Sequence, residues 1–495
     1  MTMPALRALR KASPGSKISI LLKPSVSPLF EHDPVVDEVI PYTEEYRGVS
    51  GRLKLASLLR SRNFCRAFLF QNALDAAVIT FLAGIPERIG YSRDGRRLLL
   101  SDAVPFDQQA RDLHHIDYYL NLLAKAGVAA ESSRPWITLQ PEERVAARER
   151  LKGLKRPVIA LNPGAAYGSS KRWPPERFAA LADRVLQETG GSIVIFGGPS
   201  ERSIADEIEG KILLPGADTA VHFHDDGRLL NLAGRTTVRE LAALIAESDL
   251  LVTNDSGPMH IGYAVRTPLV AIFGSTSARH TGPVGKGNMV ISSQVDCAPC
   301  LERTCRRGDL KCMDLISAEE VFAAVRKLLN RERAVFFDRD GTLCRDAHYL
   351  SRMEDFEIFP EIGALHALKE KGFKLIGVTN QSGIARGRVD ENFVRTVNDI
   401  FLTRYGFDGF YYCPHHPDEH CSCRKPEPGM LLDARVDHHI DLKRSFVVGD
   451  KEVDMLLAQA VGATGIHVST GQEDHAPSAG LTASGLAEVA RVING

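Results

Sequence analysis

No stretch of this 495-residue chain approaches the ~18 consecutive apolar residues that a helix needs to cross a bilayer. The basic residues near the N-terminus are not followed by the apolar run of about 7–15 residues that marks a secretory signal, so cytoplasm is the default location. Charge of one sign is lacking too: 61 Lys and Arg face 62 Asp and Glu, a formal net charge of -1. That balance gives no reason to propose a nucleic acid or an anionic surface as partner. Fixed-period repeats and low-complexity tracts are also missing. A hydrophobic fraction of 44% and a charged fraction of 25% describe a soluble globular protein, and the length calls for two to four domains.

The nine cysteines are unevenly spread. Cys297, Cys300, Cys305 and Cys312 form one group and Cys413, Cys421 and Cys423 another; Cys65 and Cys344 stand apart as ordinary small residues. In a cytosolic chain such clusters point to metal or redox chemistry more than to disulfide scaffolding.

Three blocks of alternating strands and helices follow one another, the pattern of parallel sheets with crossover helices. The first, 1–150, holds "ISILLKP", "VDEVIPY" and "RAFLF" as strands and "GRLKLASLLRSR" and "NALDAAVITFLAGI" as helices. The polar helix "QPEERVAARERLKGLKR" connects it to the second, 151–330, which runs from "PVIALNPG" to "SAEEVFAAVRKLLNRE". The third, 333–495, begins at "RAVFFDRDGTLC" after the charged join "LLNRERA". The expected class is α/β, with two Rossmann-like domains followed by a third α/β domain.

In "AVFFDRDGT" an apolar strand delivers Asp338 and Asp340 into the loop at its carboxyl end, where open α/β sheets bind ligands. Side chains alternate along a strand, so a spacing of two brings both acids to one side. One carboxylate can attack phosphorus; the other can protonate the leaving oxygen and then activate water. Such a site needs positive charge. "FVVGDKEVDM" ends a second strand at Asp450, a further oxygen ligand for Mg²⁺. "LIGVTNQSG" offers Thr379 and Asn380 at a third strand end, and "CRKPEPGM" supplies Arg424 and Lys425, completing an electrostatic cradle for a phosphoryl group. In "CPHHPDEHCSC", the three thiols of Cys413, Cys421 and Cys423 with the imidazole of His415 can close a structural Zn²⁺ site. His416 and His420 compete for the histidine position.

This ensemble resembles the haloacid-dehalogenase superfamily, and within it the D-glycero-D-manno-heptose 1,7-bisphosphate phosphatases; the related histidinol-phosphate phosphatases are the rival. The resemblance implies Asp338 as nucleophile and Asp340 as acid/base. It also implies Mg²⁺ on Asp338, Asp340 (through its backbone) and Asp450, with Thr379 and Lys425 steadying the phosphoryl group. Substrate recognition would then fall to Arg424, Asn380, Gln381, Ser382, Asp346, Tyr349 and Lys451. The run "CRDAHY" departs from the family's usual Asp-His-Gly-Tyr.

In the second block, "LNPGAAYGSSKRWP" places a small-residue loop and Lys171 after a strand. "LLVTNDSGPMHIGYAV" ends a strand at Asn254-Asp255 and opens a helix at Ser256-Gly257 that carries His260. A helix start presents free N–H groups to a diphosphate, although Asp255-Ser256 also reads as a plain cap. With "VAIFGSTSARHTGP" these motifs resemble the ADP-heptose:lipopolysaccharide heptosyltransferases of the second type over 1–330, which implies a GT-B architecture. Lys171, Ser256 and Gly257 would contact the diphosphate of ADP-heptose, and Asp255 and His260 would shape its pocket. The acceptor would be the inner core of lipopolysaccharide, and peripheral contact with the inner membrane accompanies such an acceptor. For "VDCAPCLERTCRRGDLKC" reduced thiols, a metal and a disulfide all stay open.

The two resemblances meet in one sugar. They imply a bifunctional enzyme that removes the 7-phosphate of the heptose bisphosphate through an aspartyl-phosphate and transfers heptose from ADP-heptose. The alternative is a histidinol-phosphate-type phosphatase fused to an inactive or different nucleotide-sugar module. The opening "MPALRALRKA" reads as a helix with Leu6 and Leu9 inward and Arg7, Arg10 and Lys11 outward. In the heptosyltransferases a first strand and a Gly-Asp loop precede such a helix. The first strand is thus expected to be missing from the first sheet, and an upstream in-frame segment to encode it.

Overall fold

The computed structural model describes residues 1–130, 134–212, 227–285, 287–419 and 421–494. They divide into two compact units, Met1–Pro283 with Val290–Phe322, and Val284–Met289 with Ala323–Gly495. The division falls inside the helix Ala318–Leu329.

In the first unit, the strands β1 (Ser19–Leu22) and β2 (Glu38–Pro41) form one parallel pair. A separate parallel sheet contains β3 (Arg66–Phe68), β4 (Glu87–Tyr91) and β5 (Asp102–Val104). Among the described residues no strand joins these two sheets, so the first block carries its strands in two pieces. The helices α1 (Met3–Ala12), α2 (Gly48–Ser61) and α3 (Leu74–Leu82) accompany them. On α1, Met3, Ala5, Leu6 and Ala8 are buried and pack in one core with Ile116, Leu120 and Leu123 of the helix His115–Lys125. Arg7 departs from its outward expectation. Its guanidinium lies 3.9 Å from the centroid of the buried Trp136 ring, where a cation is attracted by the aromatic face.

The second block forms a six-stranded sheet in the order β11-β10-β9-β6-β7-β8. Its members are β6 (Val158–Asn162), β7 (Ser192–Ile195), β8 (Leu229–Asn231), β9 (Leu250–Asn254), β10 (Leu269–Phe273) and β11 (Asn288–Ser292). Every residue of β6, β7, β9 and β10 is buried, which is why these strands read as unbroken apolar runs rather than alternating ones. The crossover helix Val238–Glu247 starts where Thr237 Oγ1 accepts from Glu240 N and Glu240 Oε2 accepts from Thr237 N, so two otherwise orphaned donors are satisfied reciprocally.

The second unit holds a parallel sheet in the order β14-β13-β12-β15-β16-β17. Here β12 is Arg333–Phe337, β13 Phe373–Asn380, β14 Gly409–Cys413, β15 Phe446–Gly449, β16 Thr464–Val468 and β17 Leu481–Ala483. Phe337 lies in register with Gly377 and with Val448, so β12, β13 and β15 end side by side. Among the described residues no helix is long and apolar enough to cross a membrane.

Candidate active sites

The register of β12, β13 and β15 gathers Asp338, Thr379, Asn380 and Asp450 at one end of the C-terminal sheet. There Asp338, Thr379 and Asn380 border a cavity of about 320 Å³ with Asp340, Asp346, Tyr349, Gln381, Ser382, Lys425 and Lys451, while Asp450 is fully buried beside them. Lys425 Nζ donates to Asp338 Oδ1 at 2.7 Å and to Asp454 Oδ1 at 2.6 Å, and all three side chains are buried. The Lys425 loop is held by Asn380, whose Oδ1 accepts from Lys425 N and whose Nδ2 donates to Lys425 O. Burial pushes the Asp338 carboxyl up to about 6, with Asp454 and Asp340 adding to the rise and Lys425 opposing it. Burial, and then the neighbouring Asp338, push Asp450 up to about 6. Burial works against the Lys425 charge, but the two carboxylates prevail and raise its proton affinity.

Asp340 behaves oppositely. Burial would raise it, yet the Arg339 guanidinium, donating at 3.0 and 3.1 Å, and Gln381 Nε2 at 2.7 Å keep it below the usual carboxylate range. One carboxylate oxygen each of Asp338, Asp450 and Asp454 lies within 4.8 Å of the others, a set suited to a hard divalent cation. Asp450 Oδ1 is buried without a hydrogen-bond partner, as an oxygen reserved for such an ion would be. A Cβ at Gly341, whose φ is +95°, would stand 2.5 Å from Asp450 Oδ2, so only glycine lets the Asp340 loop approach this closely.

The Cys413 and Cys421 sulfurs lie 3.4 Å apart and those of Cys421 and Cys423 3.5 Å; His415 Nδ1 is 3.5 Å from Cys413 Sγ and 3.2 Å from Cys423 Sγ. Zinc bonds of ~2.3 Å to sulfur and ~2.1 Å to nitrogen imply tetrahedral edges of roughly 3.5–3.8 Å, so this donor set fits with little adjustment. His416 pairs instead with Asp418 at 3.2 Å, and His420 lies outside the described residues.

In the first unit, Lys171, Asp255, Ser256, Gly257 and His260 border one cavity of about 520 Å³. Asp255 Oδ2 receives Lys171 Nζ at 2.5 Å and Thr276 Oγ1 at 2.6 Å. Lys171 also lies 4.6 Å from the Tyr167 ring centroid. The helix Gly257–Ala264 begins at Ser256 with no side-chain cap, which leaves its first N–H groups for a ligand. Asn254 holds the two loops together: its Nδ2 donates to Pro163 O at 2.7 Å and its Oδ1 accepts from Trp173 N at 3.1 Å. A Cβ at Gly168 would meet Arg303 O at 2.0 Å, so this position admits nothing larger than glycine. His260 is held down to about 4 by burial, hence neutral. His115 and His280 stack at 6.4 Å across the same cavity, and burial also lowers His115.

Known proteins separate along the same line. The family described as glycosyltransferase family 9 (heptosyltransferase) matches residues 52–311, just over half of the chain. Lipopolysaccharide heptosyltransferase 2 of Escherichia coli K12 is 31% identical over 301 residues, 59% of this chain and 83% of that protein. The chain belongs to glycosyltransferase family 9. The solved Escherichia coli ADP-heptose lipopolysaccharide heptosyltransferase II superposes with a TM-score of 0.56 at 26% identity, over 66% of this chain and 93% of that one. Fused to this family 9 heptosyltransferase is a HAD phosphatase: a HAD-hydrolase-like family matches 422–490. The D-glycero-β-D-manno-heptose-1,7-bisphosphate 7-phosphatase of Photorhabdus laumondii is 43% identical over 179 residues, 33% of this chain and 95% of that protein.

In this family 9 transferase–phosphatase, two residues expected at the phosphatase site do not line its cavity: Arg424, and the buried Asp450, which lies 3.6 Å from Lys451 Nζ. Asp454 was overlooked by sequence reasoning, although the spacing Asp450-x₃-Asp454 was visible. An acid in a helix's first turn normally reads as a cap. Gln472 joins that cavity from the loop after β16 and meets His348 at 3.3 Å. On the transferase side Tyr167, Thr276 and His280 lay in quoted motifs without being singled out, and nothing in the sequence flagged His115. Cys297, Cys300, Cys305 and Cys312 are free thiols, and so is the buried Cys344 beside Asp340.

Proposed function

We propose that the C-terminal unit hydrolyses the 7-phosphate of D-glycero-D-manno-heptose 1,7-bisphosphate and that the N-terminal unit transfers heptose from ADP-heptose to the lipopolysaccharide inner core. The observation that carries the reading is Lys425 bridging Asp338 and Asp454 at the shared end of three strands, in a chain whose two parts resemble enzymes of one sugar.

Asp338 is the nucleophile. Its carboxylate oxygen bonds to phosphorus as the bond from phosphorus to the sugar oxygen breaks, giving an aspartyl-phosphate. Asp340 gives a proton to the departing sugar oxygen. Arg339 holds it ionised in the free enzyme, so it takes up that proton as the anionic phosphate arrives and raises its pKa. In the second step ionised Asp340 draws a proton from water, whose oxygen releases phosphate from Asp338. Mg²⁺ held by Asp338, Asp450 and the Asp340 backbone would neutralise phosphate oxygens. Zn²⁺ on Cys413, His415, Cys421 and Cys423 would pin the loop that carries Arg424 and Lys425. Thr379, Asn380, Gln381, Ser382, Asp346, Tyr349, Lys451 and Arg424 recognise the substrate.

In the transferase the bond between the anomeric carbon and the diphosphate breaks as an acceptor hydroxyl attacks, the hydroxyl's proton passing to solvent water. Lys171 and the N–H groups at Ser256 and Gly257 take the leaving diphosphate's charge, while Asp255 keeps Lys171 positioned until the donor binds. Location in the cytoplasm accords with both substrates.

Phosphate release from the heptose bisphosphate and from histidinol phosphate, by the wild type and Asp338→Asn, tests the first activity. Absence of preference for the heptose overturns it. Transfer from ADP-heptose to a heptose-deficient lipopolysaccharide tests the second.

A further inference from the structure

Among the described non-glycine residues, one adjacent pair has a left-handed backbone: His348 at φ +49° and Tyr349 at φ +68°. A residue with a Cβ adopts that conformation at a cost, and for a bulky one such as tyrosine it is an outlier. Strain of this kind persists where the surroundings impose it, and it collects at ligand sites. In this chain Asp346-Ala347-His348-Tyr349 replaces the Asp-His-Gly-Tyr of the phosphatases it resembles, so His348 takes the place of a glycine. Both strained residues border the cavity of Asp338.

Specific contacts hold the pair. Asp346 Oδ1 accepts from His348 N at 3.0 Å, and Lys451 Nζ holds the other oxygen of Asp346 at 3.2 Å. The Tyr349 ring lies against Gly383, where an added Cβ would stand 2.9 Å from Tyr349 Cδ1. Arg388 lies 4.9 Å from the centroid of the same ring. Facing His348 is Gln472, whose loop is pinned to the catalytic end of the sheet. Thr470 Oγ1 donates to Gly341 O at 2.7 Å and Gln472 N donates to Asp450 Oδ2 at 3.2 Å, while a Cβ at Gly471 would overlap that same oxygen.

The anchored Gln472 fixes the tautomer of His348. Its Nε2 lies 3.3 Å from His348 Nδ1. A carboxamide nitrogen only donates, so Nδ1 accepts and the imidazole proton sits on Nε2. With 83% of its side chain exposed, His348 keeps that N–H open to a ligand, and Gln472 Oε1 is the neighbouring acceptor. A donor beside an acceptor suits adjacent alcohol groups, each of which can both accept and donate. A second phosphate suits this rim less. The charged side chains bordering the cavity are Asp338, Asp340, Asp346 and Asp454 against Lys425 and Lys451, and both lysines are already paired with carboxylates.

We infer that His348 and Gln472 select the sugar in the phosphatase. His348 Nε2–H donates to one hydroxyl of the heptose and Gln472 Oε1 accepts from the next, while the reacting phosphate lies at Asp338. The strain is held for a side chain that glycine could not supply. A site built to hydrogen-bond hydroxyls discriminates against esters that lack them, because its polar groups are then left unmatched. The inference rests on the heptose phosphatase reading above and names residues that enforce it.

Steady-state kinetics of the full chain with Mg²⁺ on heptose 1,7-bisphosphate, heptose 7-phosphate and phenyl phosphate test it. His348→Gly removes the donor and also the strain, because glycine enters the left-handed region freely. It should unfold at or above the wild-type temperature. KM for both heptose esters should nonetheless rise by about five- to tenfold with kcat changed less than about twofold, as for the loss of one hydrogen bond. Selectivity for the heptose bisphosphate over phenyl phosphate should fall by the same factor. Asn tolerates this φ and keeps an N–H donor, so His348→Asn should bring KM back to within about threefold of wild type. Gln472→Ala should raise KM as His348→Gly does. Unchanged selectivity in His348→Gly overturns the inference. A loss confined to the bisphosphate, with heptose 7-phosphate unaffected, assigns His348 to the second phosphate and overturns it too. Failure of the heptose reading shows separately, as a wild type that does not prefer the bisphosphate to histidinol phosphate.

Discussion

Lys425 Nζ sits 2.7 Å from Asp338 Oδ1 with both side chains buried, and the same ammonium holds Asp454 at 2.6 Å. Lys425→Met would leave two carboxylates together in a dry site. Breaking a buried pair costs about 3–5 kcal/mol, so the C-terminal unit should unfold at a lower temperature. Phosphate release should fall by about a hundredfold or more, as expected when a cation that stabilises transition-state charge is removed. Calorimetry and a phosphate assay check both effects.

Protons and Mg²⁺ should compete at this site. Asp338 and Asp450 are each raised from ordinary carboxylate values to about 6, so both hold protons in the free enzyme below that pH and shed them above it. Metal binding requires the ionised forms. Calorimetric titration should show Mg²⁺ affinity falling as pH is lowered through 6, with proton release on binding. The sign for stability is opposite to that of a salt-bridged acid: the metal-free unit loses stability as pH rises from about 4 to 6, and Mg²⁺ restores it. Asp450→Asn should flatten both dependences.

The four donors around His415 should carry one zinc per chain, measured by elemental analysis. Cys421→Ser or Cys423→Ser should abolish it. Because Cys423 lies two residues before Lys425, zinc loss should lower kcat as well as thermal stability. His416→Ala should change neither metal content nor activity, since His416 is engaged with Asp418.

At the donor cavity, Lys171→Ala should lower kcat for heptosyl transfer by about a hundredfold. Thr276→Val, which removes only one donor to Asp255, should cost about tenfold, in line with a single hydrogen bond to a charged group. Asp255→Asn should raise KM for ADP-heptose more than it lowers kcat if the ion pair serves to position Lys171. Steady-state kinetics on the three variants separate these outcomes.

Much of both sites was open to sequence reading because the signals are local. Asp338 and Asp340 stand two apart at the end of an apolar strand, Ser256 and Gly257 open a helix directly after another, and Cys413, His415, Cys421 and Cys423 lie within one short loop. The resemblance then joined the pieces, since spacing alone does not say that "VTNQSG" and "GDKEVD" end beside "DRDGT".

Other features came only from the folded chain. Local periodicity determined the three strand–helix blocks, the acids at the strand end and the thiol tetrad, because side-chain alternation and short loop spacings place those groups whatever the rest of the chain does. Tertiary structure decided that Asp454 shares Lys425 with Asp338, that Arg339 holds Asp340 ionised, and that His115 reaches the cavity of Lys171. It also decided that Leu74 and Phe81 of the apolar helix α3 are exposed. Each depends on which remote surfaces the crossovers bring together, and burial and charge pairing are properties of that meeting rather than of any one segment.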